Sequence, residues 1–274
     1  MPFSAEVLNP HVRRGPFRAV LFDFDGTLSL IREGWPRVMV GMMVELLRAE
    51  NLAAEPEDEL WGLVERFVMD LNGHPTAVQM ARFAEEVTAR GGTPDDPRAY
   101  TRGYLDRLMG VVRQRWEVLE SGRVGPAEWV VPNAHAVLRN LAARGVPAYL
   151  ASGTDLDAVQ YEGKLLEVLD GFGAHVYAPA DGDPTFSKGR VADTIVASLG
   201  IRGDELLGFG DGVVETREVK RVGGVMVGVA SAEPGQHGVN PDKRARLAAA
   251  GADLIVPDYA DQEALLAWLW EEVE

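Results

Sequence analysis

The spacing of apolar residues divides the chain into two parts of different character. From Trp35 to about Ser121, apolar residues recur at intervals of three and four, which is the spacing of amphipathic helices. Three of these segments carry a proline near their start, at Pro36, Pro75 and Pro97, where the first turn of a helix accepts proline. The predicted helical segments are 35–51, 57–71, 75–92 and 97–119.

The rest of the chain alternates short apolar runs with helical stretches. An apolar run at 19–24 precedes the helical part, and five more runs follow it. These later candidate strands are VPAYLAS, AHVYAPA, LLGFGD, VMVGVAS and ADLIVPD, at 146–152, 174–180, 206–211, 225–231 and 252–258. Near-continuous apolar strands that alternate with helices are typical of a parallel sheet covered on both faces.

This alternation predicts an α/β fold with a doubly wound, mostly parallel, Rossmann-like sheet and an inserted all-α domain. The run at 19–24 belongs to the sheet, because an isolated strand could not bury itself. The all-helical stretch is therefore an insertion after the first strand. We predict a discontinuous α/β core domain over 1–30 and 123–274, and a helical domain over 31–122.

Composition and charge narrow the classes of function. The 274 residues include no cysteine, which excludes disulfides, thiolate zinc sites and cysteine nucleophiles. The formal net charge of −15 argues against a surface that binds nucleic acid or anionic lipid. The apolar stretch 38–47 is too short to span a bilayer, and the first residues do not resemble a signal peptide. We therefore expect a cytoplasmic protein without a nucleic-acid or membrane partner.

Two aspartates stand where the first apolar strand ends, in the sequence AVLFDFDGTL. Asp23 and Asp25 would repel each other by roughly 4 kcal/mol at about 4 Å and an effective dielectric of about 20. A divalent cation with oxygen ligands would offset that repulsion. Gly26 and Thr27 permit a tight turn directly afterwards. Paired carboxylates of this kind can divide their roles, one as nucleophile and the other as acid and base.

Two later strand ends carry further oxygen-rich side chains. Ligands of open parallel sheets bind at the carboxyl ends of the strands, where these groups could converge. Asp211 and Glu215, in GFGDGVVE, lie one helical turn apart and suit Mg²⁺. Ser152, Gly153 and Thr154 precede a helix, so that hydroxyls and free amides could bind a phosphate. Read alone, Ser152 or Thr154 is better explained as an ordinary helix cap.

Lys188 begins another predicted helix, in the sequence TFSKGRVAD. A cation at a helix N-terminus is mildly unfavourable with the helix dipole. A single lysine there is usually a surface residue, but its poor placement also points to a functional role.

Taken in chain order, these four motifs resemble those of the haloacid dehalogenase-like superfamily of phosphohydrolases. The motifs are DFDGT, the serine of LASGT, the lysine of FSKG and the acidic pair of GDGVVE. Superfamily members with an all-helical cap between the first and second motifs include phosphoglycolate-phosphatase-like and β-phosphoglucomutase-like enzymes. The resemblance extends over the architecture of the whole chain.

The resemblance implies a role for each motif residue. Asp23 would attack phosphorus to give an aspartyl-phosphate, and Asp25 would protonate the leaving oxygen and then deprotonate water. Ser152 and Lys188 would hold the phosphoryl oxygens, with Lys188 also balancing the charge of Asp23. The implied phosphate-binding set includes the neighbouring groups of Gly26, Thr27, Gly153 and Thr154.

The resemblance also implies a Mg²⁺ cofactor. Asp23, the backbone carbonyl of Asp25 and Asp211 would bind the ion. Glu215 would bind it directly or through water, and it stands where aspartate is commoner in the superfamily.

Three segments depart from the motifs or lie outside them. The family often has an aspartate shortly after the first motif, whereas this chain has Ser29, Arg32 and Glu33 there; Arg32 is a candidate contact for a substrate anion or a surface arginine at the hinge. In capped relatives the cap sets specificity, which makes His74 and Thr76 candidate substrate contacts, although an ordinary helix connection explains 71–80 equally well. The stretch 231–246 is a long polar loop without a predicted role.

These features predict a Mg²⁺-dependent phosphatase that acts on a small phosphorylated metabolite, as a monomer or homodimer. A phosphomutase of the β-phosphoglucomutase type would use the same aspartyl-phosphate and is the main alternative. A dehalogenase is disfavoured because such enzymes do not need the second aspartate. A catalytically silent phosphate-binding protein would not need to keep Asp25 and Lys188.

Overall fold

The chain divides into two compact units in a computed structural model, which describes residues 4–71, 76–180, 185–232 and 236–271. One unit, here the α/β unit, comprises Met1–Glu33 and Val118–Glu274. The other, the helical unit, comprises Gly34–Glu117.

Each of the four predicted helical segments forms a helix. They are α1 (Trp35–Ala49), α2 (Glu57–Asp70), α3 (Thr76–Ala89) and α4 (Pro97–Glu120). Gly34 precedes α1 in the left-handed conformation, with φ of 86°, which glycine adopts without steric strain. Among the described residues, every helix is too short or too polar to cross a membrane.

The α/β unit contains a seven-stranded, mostly parallel sheet, which confirms the predicted fold class. Its strands are β1 (Glu6–Val7), β2 (Ala19–Phe22), β3 (Ala148–Ala151), β4 (Val176–Tyr177), β5 (Leu206–Gly210), β6 (Val225–Val229) and β7 (Leu254–Val256). Their order is β1-β7-β6-β5-β2-β3-β4. The pairing of β1 with β7 is antiparallel, and the other pairings are parallel. The sequence pattern did not reveal β1, because two residues show no periodicity.

Six helices complete this unit within the described residues. They are α5 (Ala134–Ala143), α6 (Leu156–Leu165), α7 (Lys188–Leu199), α8 (Val213–Arg221), α9 (Pro241–Ala250) and α10 (Gln262–Trp270). One buried apolar cluster joins Leu21 of β2 to Ile195 of α7, Val219 of α8 and Leu247 of α9. These three helices are therefore packed against the sheet through the same cluster.

The helix α9 corrects the prediction that 231–246 is a polar loop. The side chain of Asn240 accepts hydrogen bonds from the backbone N–H groups of Asp242 and Lys243, and Pro241 occupies the first turn. Asparagine followed by proline is a helix-start signal that the sequence contained. The high polarity of the segment hid that signal, because the helix buries little apolar surface beyond Leu247.

The cap of α9 makes a testable contribution to stability. Asn240→Ala removes the acceptor for two N–H groups, so we expect the free energy of unfolding to fall by about 1 kcal/mol. Chemical denaturation of the purified variant measures this loss. Asn240→Ser retains a side-chain acceptor and should unfold close to the wild-type midpoint, whereas equal loss in both variants would contradict the capping role.

The central strands fix the position of the acidic motifs. Phe22 of β2 is paired in register with Phe209 of β5, and their rings stack with centroids 4.8 Å apart. The backbone N–H of Asp23 then donates to the carbonyl of Phe209 at 2.9 Å. Because both strands end at the same edge of the sheet, the residues that follow them face one site.

Candidate active site

The first aspartate pair lies in a tight turn after β2. Asp23 is buried, whereas the side chain of Asp25 is 30% exposed. The N–H of Gly26 donates to the carbonyl of Ser29 at 2.8 Å, and Gly26 itself has φ of 73°. A Cβ atom at this glycine would lie 2.1 Å from Asp211 Oδ2. Glycine is therefore required here both for the backbone conformation and for the close approach of Asp211.

Two distant side chains hold this turn in place. The Tyr259 hydroxyl donates to the carbonyl of Thr27 at 3.0 Å, and Ser231 Oγ donates to the carbonyl of Gly26 at 2.7 Å. All the side chains involved are buried. The turn that carries Asp23 and Asp25 is thus held by hydrogen bonds from residues that lie far away in the sequence.

Lys188 connects two of the motifs. Its ammonium donates to Asp23 Oδ1 at 2.6 Å and to Glu215 Oε2 at 3.0 Å. Burial disfavours the charged ammonium, but the two carboxylates outweigh burial and raise the pKa of Lys188. Lys188 therefore stays protonated and joins the third motif to the first and the fourth.

Three carboxylates converge beside Lys188. Asp23, Asp211 and Glu215 each offer one oxygen, and these oxygens lie within 4.8 Å of one another. Hard oxygen ligands at such separations suit Mg²⁺. The residues present fit the cofactor that the sequence predicts.

The electrostatics of these carboxylates favour a bound cation. Burial, together with the neighbouring Glu215 and Asp211, raises the pKa of Asp23 well above its usual value, despite Lys188. Burial also raises the pKa of Asp211, against the opposing effect of Lys243. Glu215 differs: burial is outweighed by Lys188 and by backbone N–H groups, which lower its pKa. Two of the three ligands are therefore poorly stabilised as anions by the protein alone.

The second motif contacts the first through Thr154. The Thr154 hydroxyl donates to Asp25 Oδ2 at 2.7 Å, and its backbone N–H donates to Ser152 Oγ at 3.1 Å. Ser152 is buried, and Gly153 is exposed. The other oxygen of Asp25, Oδ1, is buried without a hydrogen-bond partner among the described residues, as is Thr27 Oγ1.

Arg32 lies beside Asp25, and its guanidinium is bound to another carboxylate. It donates to Glu162 Oε1 at 2.6 Å and to Glu162 Oε2 at 3.3 Å, and its Nε lies 3.9 Å from Asp25 Oδ1. Glu162 is fully buried in α6. Glu162 could not be predicted, because the sequence of α6 does not indicate that this glutamate is buried.

A second buried lysine also escaped prediction. Lys243 of α9 contacts Glu33, Ser231 and Asp211. It lies in the polar stretch 231–246, for which the sequence pattern predicts no role. The sequence offered no spacing signal for it, because its partners come from three separate segments.

The two candidate contacts in the helical unit stay predictions. Thr76 is the first residue of α3, and His74 lies outside the described residues.

Residues 17–223 match the model of the haloacid dehalogenase-like hydrolases. A search of curated proteins gave no significant match.

Three solved structures illustrate the similarity of fold. A hydrolase from Deinococcus radiodurans R1 of the same family, solved with bound phosphate and sodium, is 22% identical; the match covers 92% of this chain and 96% of that chain, with a TM-score of 0.55. A predicted phosphoglycolate phosphatase from Haemophilus somnus is 18% identical, covering 91% and 97%, with a TM-score of 0.55. A β-phosphoglucomutase from Clostridium difficile is 12% identical, covering 93% and 97%, with a TM-score of 0.59.

The family model spans most of the chain, and the matched residues include all four motifs. The solved structures share the fold across nearly the full length of both chains. This chain belongs to the haloacid dehalogenase-like hydrolase family.

Proposed function

We propose that this protein is a Mg²⁺-dependent phosphatase that hydrolyses a small phosphate monoester through an aspartyl-phosphate on Asp23. The observation that carries the proposal is the convergence of Asp23, Asp211 and Glu215 around Lys188, with Asp25 in the same turn as Asp23. The solved relative from Deinococcus radiodurans R1 holds phosphate.

The surroundings of Asp23 support a role as the nucleophile. Its Oδ1 is bound by Lys188, and its carboxylate lies buried at the end of β2. A carboxylate oxygen forms a bond to phosphorus while the bond between phosphorus and the ester oxygen breaks. Lys188 offsets negative charge as the phosphate dianion approaches, which favours positioning of the ester against Asp23.

The surroundings of Asp25 support a role as general acid and base. The Thr154 hydroxyl donates to its Oδ2 at 2.7 Å, and Arg32 Nε lies 3.9 Å from its Oδ1. In the first step Asp25 gives a proton to the departing ester oxygen. In the second step it takes a proton from water, whose oxygen bonds to phosphorus as the bond to Asp23 breaks. The products are the alcohol and inorganic phosphate, and both aspartates return to their starting states.

Asp23, Asp211, Glu215 and the backbone carbonyl of Asp25 would hold the Mg²⁺. When bound, the ion supplies positive charge that offsets the carboxylates and the transferring phosphoryl group.

We further propose that the helical unit is a cap that selects the substrate, with His74 and Thr76 as candidate contacts. The proposed substrate is a small cytoplasmic phosphorylated metabolite.

Removal of the metal tests this function directly. We expect the purified protein to release phosphate from p-nitrophenyl phosphate. The rate of release should fall to background after chelation and dialysis, and it should recover when Mg²⁺ is restored. Circular dichroism of the chelated protein checks that the fold persists. Full turnover by the metal-free protein would contradict the proposal.

Assay of a panel of sugar phosphates separates the main alternative, because a mutase would yield an isomeric sugar phosphate instead of free phosphate.

A further inference from the structure

Lys243 is a buried lysine that faces the candidate metal site from α9. Its ammonium lies 2.7 Å from Glu33 Oε1, 3.0 Å from Ser231 Oγ and 3.0 Å from Asp211 Oδ2. Its side chain is 9% exposed. An ammonium group has three N–H donors, and these three partners account for all of them. Lys243 therefore has no donor left for a substrate, so its contacts point to an effect on its neighbours.

Lys243 is held in this position against two unfavourable effects. It lies in the first turn of α9, where a positive charge opposes the helix dipole. Burial of an unpaired ammonium costs several kcal/mol. Glu33 and Asp211 offset both effects, which ties the position of the ammonium to these two carboxylates.

The partners of Lys243 surround the turn that carries the aspartate pair. Ser231 accepts from Lys243 and donates to the carbonyl of Gly26 at 2.7 Å. Asp211 Oδ2, which Lys243 contacts, lies against the same glycine. One hydrogen-bonded chain therefore joins Glu33, Lys243, Asp211 and the Gly26 turn.

The site contains a second lysine with a similar arrangement. Lys188 joins Asp23 to Glu215, as Lys243 joins Asp211 to Glu33. These two ammonium groups face four carboxylates and therefore offset only part of their negative charge. Each lysine thus holds one or two candidate metal ligands without cancelling the charge that attracts the ion.

We propose that Lys243 is a positioning residue for the metal site: with Glu33 as its anchor, it fixes the Asp211 carboxylate so that Asp211 can bind Mg²⁺. This inference rests on the proposed function, since it assumes that Asp211 is a metal ligand. Groups that hydrogen-bond to metal ligands typically change metal affinity by about 10- to 100-fold when they are removed.

The test is the Mg²⁺ affinity of the double variant Lys243→Met, Glu33→Gln, measured by titration calorimetry with Mg²⁺ alone. The double change removes the ammonium together with the charge of Glu33, so that Glu33 is not left as a buried carboxylate without its lysine, and Asp211 loses its lysine contact. We expect the dissociation constant for Mg²⁺ to rise about 10- to 100-fold. Relative to the wild type, the double variant should lose more turnover at low Mg²⁺ than at saturating Mg²⁺.

Lys220→Met is the matched control. Lys220 forms a comparable ion pair with the buried Asp253 at 2.7 Å, away from the candidate ligands. Its loss should lower stability and leave Mg²⁺ affinity unchanged. If the double variant does not unfold cooperatively, the single variant Glu33→Gln takes its place in the test. The Lys243 ammonium then keeps Asp211 as its charged partner and competes with Mg²⁺ for that carboxylate. We again expect weaker Mg²⁺ binding.

The outcomes separate this inference from the proposed function. Wild-type protein that binds no Mg²⁺ would overturn the proposed metal site and this inference with it. Wild-type protein that binds Mg²⁺, beside a folded variant that binds it equally or more tightly, would overturn the role of Lys243 alone. Weaker binding in the variant and not in Lys220→Met supports the inference.

Discussion

Asp23→Asn should abolish phosphate release while leaving the protein folded. The amide has the shape of the carboxylate but cannot act as a nucleophile toward phosphorus. We expect turnover of p-nitrophenyl phosphate to fall by on the order of 10⁴-fold or more, as for other enzymes that lose a nucleophile. Steady-state rates at saturating Mg²⁺, with purified protein, measure the effect.

Stability gives this prediction its internal check. Burial raises the pKa of Asp23, so the ionised carboxylate is poorly stabilised by its surroundings. Lys188 keeps Glu215 as a counter-charge after the change. The metal-free variant should therefore be no less stable to heat than the wild type.

A matched substitution separates the nucleophile from an ordinary buried aspartate. Asp253 is as deeply buried and also pairs with a lysine, Lys220. Asp253→Asn should lower the melting temperature and retain turnover, the reverse of Asp23→Asn. Persistent turnover in Asp23→Asn would show that another group attacks phosphorus.

Asp25→Asn should trap the protein with a phosphoryl group on Asp23. An aryl phosphate has a good leaving group, so the first step proceeds without strong acid assistance. The second step still needs a base for water, and its absence should lower the steady-state rate by about 10²- to 10⁴-fold. Intact-protein mass spectrometry after an acid quench should reveal one added phosphoryl group.

The double variant Asp23→Asn, Asp25→Asn provides the control, because it lacks the site of attachment. It should carry no phosphoryl group under the same conditions. Wild-type turnover by Asp25→Asn, or a phosphoryl group on the double variant, would contradict the division of roles between the two aspartates.

The sequence predicted the parts of the site that follow apolar strands. The runs that contain Phe22 and Phe209 are almost wholly apolar, so their strands and the acidic residues after them could be located. Parallel strands end at one edge of a sheet, which is why Asp23 and Asp211 could be expected to converge. The four helices of the helical unit were equally visible, since each repeats apolar residues over several turns.

Residues that reach the site from polar segments could not be predicted. Lys243 and Glu33 are 210 positions apart in the chain, and neither segment has a period that fixes its partner. Arg32 was visible as an unusual charge after the first motif, but its buried partner Glu162 is 130 positions away. Such pairs are set by how the helices pack on the sheet, which depends on the whole core.

The way the first-motif turn is held determines where this protein can be shortened. The family match ends at Gly223, and a fragment ending there would retain Asp23, Lys188 and Glu215. It would lack Ser231 and Tyr259, which bind the backbone of that turn. A fragment cut after the last motif would therefore carry Asp23 and Asp25 on a turn that lacks these two hydrogen bonds, so truncation boundaries for engineering belong beyond Tyr259.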